Sequence, residues 1–121
     1  MKAVITAAGR GTRLLPMTKE MPKEMMPIFS KYNGKKYVSP LLQLIFEQMY
    51  KLKIREYCFV VGRGKRSIED HFTSDSSFLK NISRSNQRVI LDFYKKTNNS
   101  HLFWINQNEP KGFGDAVRYS E

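Results

Sequence analysis

Three stretches of consecutive apolar or small residues interrupt an otherwise polar chain, at residues 3–8, 57–61 and 102–105. None of them alternates apolar with polar side chains, and each is short enough for a strand. A continuous apolar run is typical of a strand that is covered on both faces, as in parallel sheets. Gly9 and Gly62 directly follow the first two runs. The pattern therefore predicts three buried, parallel strands.

A helix is predicted between the first two strands. Apolar residues recur with a helical period up to Leu52, Pro40 suits the first turn, and Ser39 is placed to cap the helix. Ahead of this helix, residues 28–38 contain two short runs separated by Asn33 and Gly34, which predicts a hairpin.

Two further helices are predicted between the second and third strands, at residues 67–72 and 84–96. In the longer one, Leu91 and Tyr94 are predicted to face inward. Strands that alternate with helices form βαβ units, whose crossovers are right-handed and whose sheet is parallel. The fold class is therefore predicted to be α/β.

Length and composition fit a single globular domain. A chain of 121 residues with 40% apolar and 12% aromatic residues buries roughly two thirds of its unfolded surface, which excludes the disordered class. Its single cysteine, Cys58, cannot form an internal disulfide and is interpreted as a core residue. The apolar N-terminal run is too short for a signal sequence or a membrane span. We therefore expect a cytoplasmic protein without a membrane partner.

The formal charge of +10 calls for a polyanionic partner or a merely basic surface. Nucleic acid, an anionic lipid surface and a small phosphate compound all fit this charge. Six of the seven glycines form GxG pairs, at positions 9 and 11, 62 and 64, and 112 and 114. The first two pairs follow predicted strands, and the carboxyl ends of parallel strands share one edge, where open α/β proteins bind ligands. The basic residues near the pairs are Arg10, Arg13, Arg63, Lys65, Arg66 and Lys111.

Two familiar phosphate loops are excluded by single positions. For each of the three pairs, a GxGxxG dinucleotide loop requires a third glycine three residues after the second one. The residues at those positions are Leu14, Ser67 and Val117. A P-loop requires glycine in place of Phe59 and a hydroxyl residue in place of Arg66. The glycine pairs therefore belong to a phosphate loop of another design. The turn at residues 62–66 is interpreted mainly as a structural entry to the helix that follows it.

The segment at residues 8–28, AGRGTRLLPMTKEMPKEMMPI, is the most informative part of the chain. It turns through two glycines and carries Arg13, Lys19 and Lys23 among three prolines, which stiffen a loop. It resembles the signature AGxGTRxLPxTKxxPKEMxP of the sugar-nucleotide pyrophosphorylases, and among them of the prokaryotic UTP–glucose-1-phosphate uridylyltransferases. SIEDHF at residues 67–72 and KGFGDAV at 111–117 are similar to later motifs of that family.

The resemblance implies a role for individual residues. Arg13 is expected on the triphosphate and Lys23 beside the reacting phosphates, which makes these two the candidate catalytic residues. Glu24, Gln107 and the backbone of Gly112 are expected to read uracil, whose edge offers two acceptors and one N–H donor. The candidate nucleotide-binding residues are Ala8, Gly9, Gly11, Thr12, Glu24, Gln107 and Gly112.

The resemblance also implies a Rossmann-like, doubly wound and mainly parallel nucleotidyltransferase fold, with UTP and glucose 1-phosphate as substrates. The implied reaction is in-line attack on the α-phosphorus of UTP, assisted by Mg²⁺. The family's magnesium ligands lie beyond the glycine motif, so no metal ligand is assigned within residues 1–121. We expect these residues to be the N-terminal nucleotide-binding part, under half, of a homo-oligomeric enzyme, with little or no turnover alone.

Two alternatives remain open. A glucose-1-phosphate thymidylyltransferase is similar, although those relatives more often carry glutamine where Glu24 stands. A noncatalytic nucleotide-binding or nucleic-acid-binding module would also account for the charge. Nucleic acid is the less favoured partner because the basic residues follow predicted strand ends and no RNA-binding aromatic motif is present.

Overall fold

The computed structural model describes residues 1–107 and 113–118. The strands are β1 (Lys2–Ala7), β2 (Pro27–Tyr32), β3 (Lys35–Pro40), β4 (Glu56–Val61) and β5 (His101–Asn106). The helices are α1 (Leu41–Lys51), α2 (Arg66–His71), α3 (Ser76–Leu79), α4 (Arg84–Asn98) and α5 (Phe113–Arg118).

The three predicted buried strands form one parallel sheet in the order β1-β4-β5. The register aligns their carboxyl ends, because Ala7 pairs with Val61 and Val61 pairs with Asn106. The residues that follow the three strands are therefore neighbours at one edge of the sheet. The prediction of a parallel α/β fold is confirmed.

The connections explain where the helices lie. The chain moves in one direction from β1 to β4 to β5, so right-handed crossovers place α1 and α4 on the same face. The rings of Phe46 in α1 and Phe93 in α4 are accordingly 6.0 Å apart. After β5, α5 lies against β1 at the opposite edge. The chain thus reverses across the sheet, as a doubly wound topology requires.

Aromatic side chains fill the core between the sheet and these helices. Phe46 is fully buried, and its ring centroid lies 4.8 Å from that of Tyr57 and 5.5 Å from that of Phe72. Phe59 stacks on Trp104 at 4.4 Å. Buried aromatic residues contribute large apolar areas together with edge and stacking contacts. This cluster therefore holds the crossover helices against the central strand.

The prediction that every strand is covered on both faces is wrong for the two edge strands. In the central strand β4, residues 57–61 are all buried. In β1 and β5, however, Val4 and Phe103 are exposed, whereas Ile5 and Trp104 pack against the core. Among the described residues, the crossover helices cover one face only. An apolar run therefore overstates burial where the strand lies at an edge.

The hairpin of β2 and β3 is confirmed, with its turn at Asn33 and Gly34, both of which have positive φ. The predicted cap of α1 is wrong. The hydroxyl oxygen of Ser39 accepts no capping hydrogen bond from the backbone amides of α1 and instead lies 2.9 Å, oxygen to oxygen, from Ser30 across the hairpin. The hydroxyl of Ser39 is held by the sheet because β3 runs directly into the helix.

The predicted inward face of α4 is confirmed for Tyr94 and wrong for Leu91. Leu91 remains 49% exposed, whereas Phe93 is buried and Tyr94 packs against the core as predicted. The buried positions of α4, Phe93 and Thr97, are four residues apart and so lie on one side of the helix. Phe93 therefore sets the orientation of α4.

The interpretation of Cys58 as a core residue is confirmed, and His71 is also part of the packed interior. Cys58 is buried in β4, and burial raises the pKa of its thiol, contrary to what a reactive cysteine needs. His71 ends α2, with Nε2 2.7 Å from Oε1 of Gln43 and its ring against Phe93. Burial lowers the pKa of His71. No helix in the described part of the chain is long and apolar enough to cross a bilayer.

Candidate functional site

A cavity of about 580 Å³ lies at the carboxyl ends of the three parallel strands. Ala8, Gly62 and Gln107, which directly follow β1, β4 and β5, line it. The amide of Gln107 donates to the carbonyl of Val61 at 2.7 Å, which joins the ends of β5 and β4. The volume is that of a typical small-molecule site. The predicted ligand edge of the sheet therefore carries a cavity.

The turn after β1 depends on Gly11. Its φ of 65° is left-handed, and it begins the 3-10 turn Thr12–Leu14. A Cβ at this position would lie 3.0 Å from Cγ2 of Thr18. The hydroxyl of Thr18 in turn donates to the carbonyl oxygen of Gly11. Conformation and space thus both require glycine here.

The loop after this turn is held in place along its length. It continues through two more 3-10 turns, Met17–Lys19 and Lys23–Met25. The amide of Leu41 then donates to the carbonyl of Met26 at 2.9 Å, which ties the loop to α1. A loop with this many local hydrogen bonds loses little entropy when it binds a ligand.

The cavity wall is positively charged. Arg10, Lys19 and Arg63 line it, and Lys19 is paired with Glu20 at 2.8 Å. Arg10 and Arg63 form no ion pair with any other residue in the described part of the chain. Uncompensated arginines beside glycine turns suit an anion with several phosphate groups.

One buried ion pair stands at the cavity wall. Nζ of Lys65 lies 2.8 Å from Oε1 of Glu24, and the two side chains are 8% and 7% exposed. Lys65 lines the cavity. The turn at 62–66 does lead into α2 as predicted, but it also contributes Arg63 and Lys65 to the wall. The sequence interpretation named Arg63 and Lys65 among the basic residues near the glycine pairs but ranked this second role below the structural one.

The structure brings most of the predicted nucleotide-binding residues together. Ala8, Gly9, Thr12 and Gln107 line the cavity, and Gln107 is almost fully buried. Gly11 shapes the turn without lining it. Gly112 lies outside the described residues.

The charged candidates occupy three different settings. Arg13 lies on the exposed turn Thr12–Leu14, and its side chain does not line the cavity. Lys23 is exposed, and a Cβ on Gly9 would lie 3.8 Å from its Nζ. Glu24 is buried behind the wall with Lys65. Lys23 is therefore close to the end of β1, whereas Arg13 is not part of the cavity wall.

The described residues do not by themselves fit a magnesium site. No three His, Cys, Asp or Glu side chains come together within residues 1–107 and 113–118. The acidic residue that lines the cavity there, Glu20, is already paired with Lys19. Magnesium prefers several oxygen ligands in octahedral geometry, and this part of the chain does not supply them.

Comparisons with known proteins agree with this geometry. The sequence profile described as nucleotidyl transferase matches residues 2–120. The UTP–glucose-1-phosphate uridylyltransferase of Bacillus subtilis is 42% identical over 117 residues, which are 96% of this chain and 37% of that protein. A solved structure of apo UDP-glucose pyrophosphorylase has a TM-score of 0.84 at 30% identity, covering 99% of this chain and 41% of that one.

A second solved structure, UDP-glucose pyrophosphorylase complexed with UDP-glucose, has a TM-score of 0.75 at 32% identity over 99% of this chain. The chain spans about 40% of the length of these relatives. The profile match covers nearly every residue, from the first strand through the glycine turns to the last helix. This chain therefore belongs to the nucleotidyl transferase family.

Proposed function

We propose that this chain forms the UTP-binding part of a UTP–glucose-1-phosphate uridylyltransferase. The observation that carries the proposal is the cavity at the strand ends, which is lined by Arg10 and Arg63, neither of them ion-paired among the described residues, and by the buried amide of Gln107, with the carboxylate of Glu24 buried behind Lys65. Cations suit a triphosphate, and a carboxylate with an amide suits a base edge that has both donors and acceptors. The names of the relatives support the same activity.

The proposed reaction joins a phosphate oxygen of glucose 1-phosphate to the α-phosphorus of UTP. The bond between the α-phosphorus and the oxygen bridging to the β-phosphorus breaks, and its electron pair leaves on pyrophosphate. Because the attacking oxygen is already anionic, no general base is needed. The protein therefore contributes positioning and neutralisation of charge.

The chain's own residues divide this work. The backbone at Gly9 and the turn at Gly11 place the phosphates against the end of β1. Lys23, whose ammonium lies close to Gly9, neutralises charge on the reacting phosphates. Arg13 turns from its exposed position onto the triphosphate. Glu24 and Gln107 read the base, whose single ring N–H needs an acceptor.

The metal, the cellular location and the assembly of the protein are further parts of the proposal. Mg²⁺, which would neutralise charge on the triphosphate, stays a prediction, with no ligand assigned among the described residues. The cytoplasm is the proposed location because the sole cysteine is a buried free thiol. Assembly into a homo-oligomer stays a prediction.

Triphosphate binding to the purified 121-residue chain tests the proposal. We expect calorimetry to show that UTP binds more tightly than CTP, ATP or a single-stranded oligonucleotide of mixed sequence. UTP at 100 times its Kd stabilises the fold by about 2.7 kcal/mol, which a thermal melt detects. Thymine has the same imide edge as uracil, so TTP must be compared with UTP directly. Tighter binding of TTP than of UTP would favour the thymidylyltransferase alternative.

Matched variants show whether the binding uses the proposed site. Lys23→Met removes a charge beside the end of β1 and is expected to weaken UTP binding about tenfold. Lys96→Met removes a partly buried lysine that is paired with Asp92, away from the cavity, and serves as the control. Tighter binding of the oligonucleotide than of UTP, or equal effects of the two variants, contradicts the proposal.

A further inference from the structure

The Lys65–Glu24 ion pair is buried at the cavity wall, where desolvation of its two charges costs free energy. It joins turns that are 41 residues apart, and both side chains are more than nine-tenths buried. Burying two charges removes their hydration, so a pair of this kind contributes little net stability compared with apolar residues of the same volume. Stabilisation of the fold alone therefore does not explain this ion pair.

Within residues 1–107 and 113–118, only one of the two oxygens of Glu24 has a hydrogen-bond partner. Oε1 accepts from Lys65, whereas Oε2 is buried and has no partner in this part of the chain. A buried acceptor without a donor is costly and calls for an explanation. Glu24 itself does not line the cavity, but its partner Lys65 does, and so does Pro22, two residues before it in the sequence. The carboxylate therefore lies one side chain behind the surface that a bound nucleotide would touch.

We propose that Lys65 is a positioning residue that determines base specificity by fixing which atom of residue 24 faces the base. This inference rests on the proposed function. The ammonium of Lys65 only donates hydrogen bonds. The side chain at position 24 must therefore turn an acceptor to Lys65, and its second atom is presented to the nucleotide.

With glutamate at position 24, the second atom is an acceptor. It matches the ring N–H of uracil, whereas the corresponding ring nitrogen of cytosine is itself an acceptor and is rejected. Because Oε2 is closed off from water, a base can contact it only if residues of the cavity wall move aside. An unmatched acceptor then has no water to satisfy it, which strengthens the discrimination.

The variant Glu24→Gln tests the role of Lys65 directly. Its amide oxygen is held by Lys65, so its NH₂ group replaces Oε2 and presents a donor. UTP and CTP differ only in the base, so their affinity ratio isolates base reading. We expect calorimetry on the 121-residue chain to show that the UTP-to-CTP ratio falls by about 10- to 100-fold in this variant.

The double variant Glu24→Gln with Lys65→Met shows whether Lys65 is responsible. Without Lys65 the amide is free to rotate and offer its oxygen to uracil, so the ratio recovers most of the loss. This variant leaves no buried charge unpaired, which keeps it folded; far-UV circular dichroism checks this. A structural role alone would weaken UTP and CTP equally and leave the ratio unchanged.

The outcomes separate this inference from the proposed function. A wild-type chain that binds no triphosphate, or binds UTP no better than CTP, overturns both. A wild-type preference for UTP that persists in Glu24→Gln overturns only the base-reading role, as does a double variant with the same ratio as Glu24→Gln. Lys96→Met, the ion-pair control, is expected to keep the wild-type ratio.

Discussion

Replacing Gly11 with alanine tests the turn that begins the proposed phosphate loop. Its φ of 65° costs an ordinary residue about 1–2 kcal/mol. The new Cβ would also lie 3.0 Å from Cγ2 and 3.1 Å from Cβ of Thr18. Either the turn at residue 11 or the side chain of Thr18 must therefore move. Overpacking of this kind costs about 1–3 kcal/mol. The free energy of unfolding is therefore expected to fall by about 2–5 kcal/mol.

The matched control is Gly34→Ala in the hairpin. Its φ of 78° is also left-handed, but no atom lies within 4 Å of the new Cβ. It should therefore show the conformational cost alone, about 1–2 kcal/mol. Adding Thr18→Ser to Gly11→Ala removes Cγ2 but keeps the hydroxyl donor. Part of the free energy of unfolding that the steric clash removes should therefore be recovered.

Urea unfolding followed by circular dichroism gives the free energies, and calorimetry gives the UTP affinity. We expect Gly11→Ala to weaken UTP binding about tenfold or more because the turn can no longer place its backbone. Gly34→Ala should leave the affinity unchanged. Equal costs for the two alanine variants, with no recovery from Thr18→Ser, would refute the steric part of this reasoning.

Three further predictions concern the core and its titration. Phe46→Ala should lower the free energy of unfolding by about 3–5 kcal/mol in urea titrations, because this ring joins α1 to β4 and α4. Phe93→Ala should cost a similar amount, whereas Leu91→Lys on the exposed side of α4 should change stability by less than about 0.5 kcal/mol; a large loss from Leu91→Lys would contradict the observed face. Because burial lowers the pKa of His71 below 6.5, the folded chain binds fewer protons than the unfolded chain. Stability is therefore independent of this group above about pH 6.5 and falls below it, by at most about 1.4 kcal/mol per pH unit. Comparing wild type with His71→Gln in urea at pH 7.5 and 5.5 measures this, and an equal pH dependence of the two would exclude His71 as its source.

The strands could be predicted because each is a continuous apolar run and two of them end at a glycine. The same pattern could not show that Val4 and Phe103 are exposed, since an apolar run does not tell a central strand from an edge strand. In α4, both Leu91 and Phe93 are apolar. Which of the two is buried depends on the aromatic cluster that Phe93 joins. That cluster is formed by residues distant in the sequence, so the periodicity of α4 alone does not reveal it.

The site was predictable where it is local in sequence. Gly9, Gly11 and Thr12 follow a strand directly, so parallel topology brings them to the ligand edge. The pairing of Lys65 with Glu24 was not predictable, because it joins two turns 41 residues apart whose meeting depends on the register of β1 against β4. Sequence reasoning therefore named both residues but not their pairing.

The separation of these partners also bears on the order of folding. The cavity walls come from residues near 8–24, 62–65 and 107, so the site closes only after contacts between distant segments have formed. Such contacts are slow because the chain must first lose the entropy of long loops. Until Glu24 meets Lys65, each carries a charge that resists burial. Nucleotide binding should thus appear in the last phase of refolding, after the helices, and report completion of the native state.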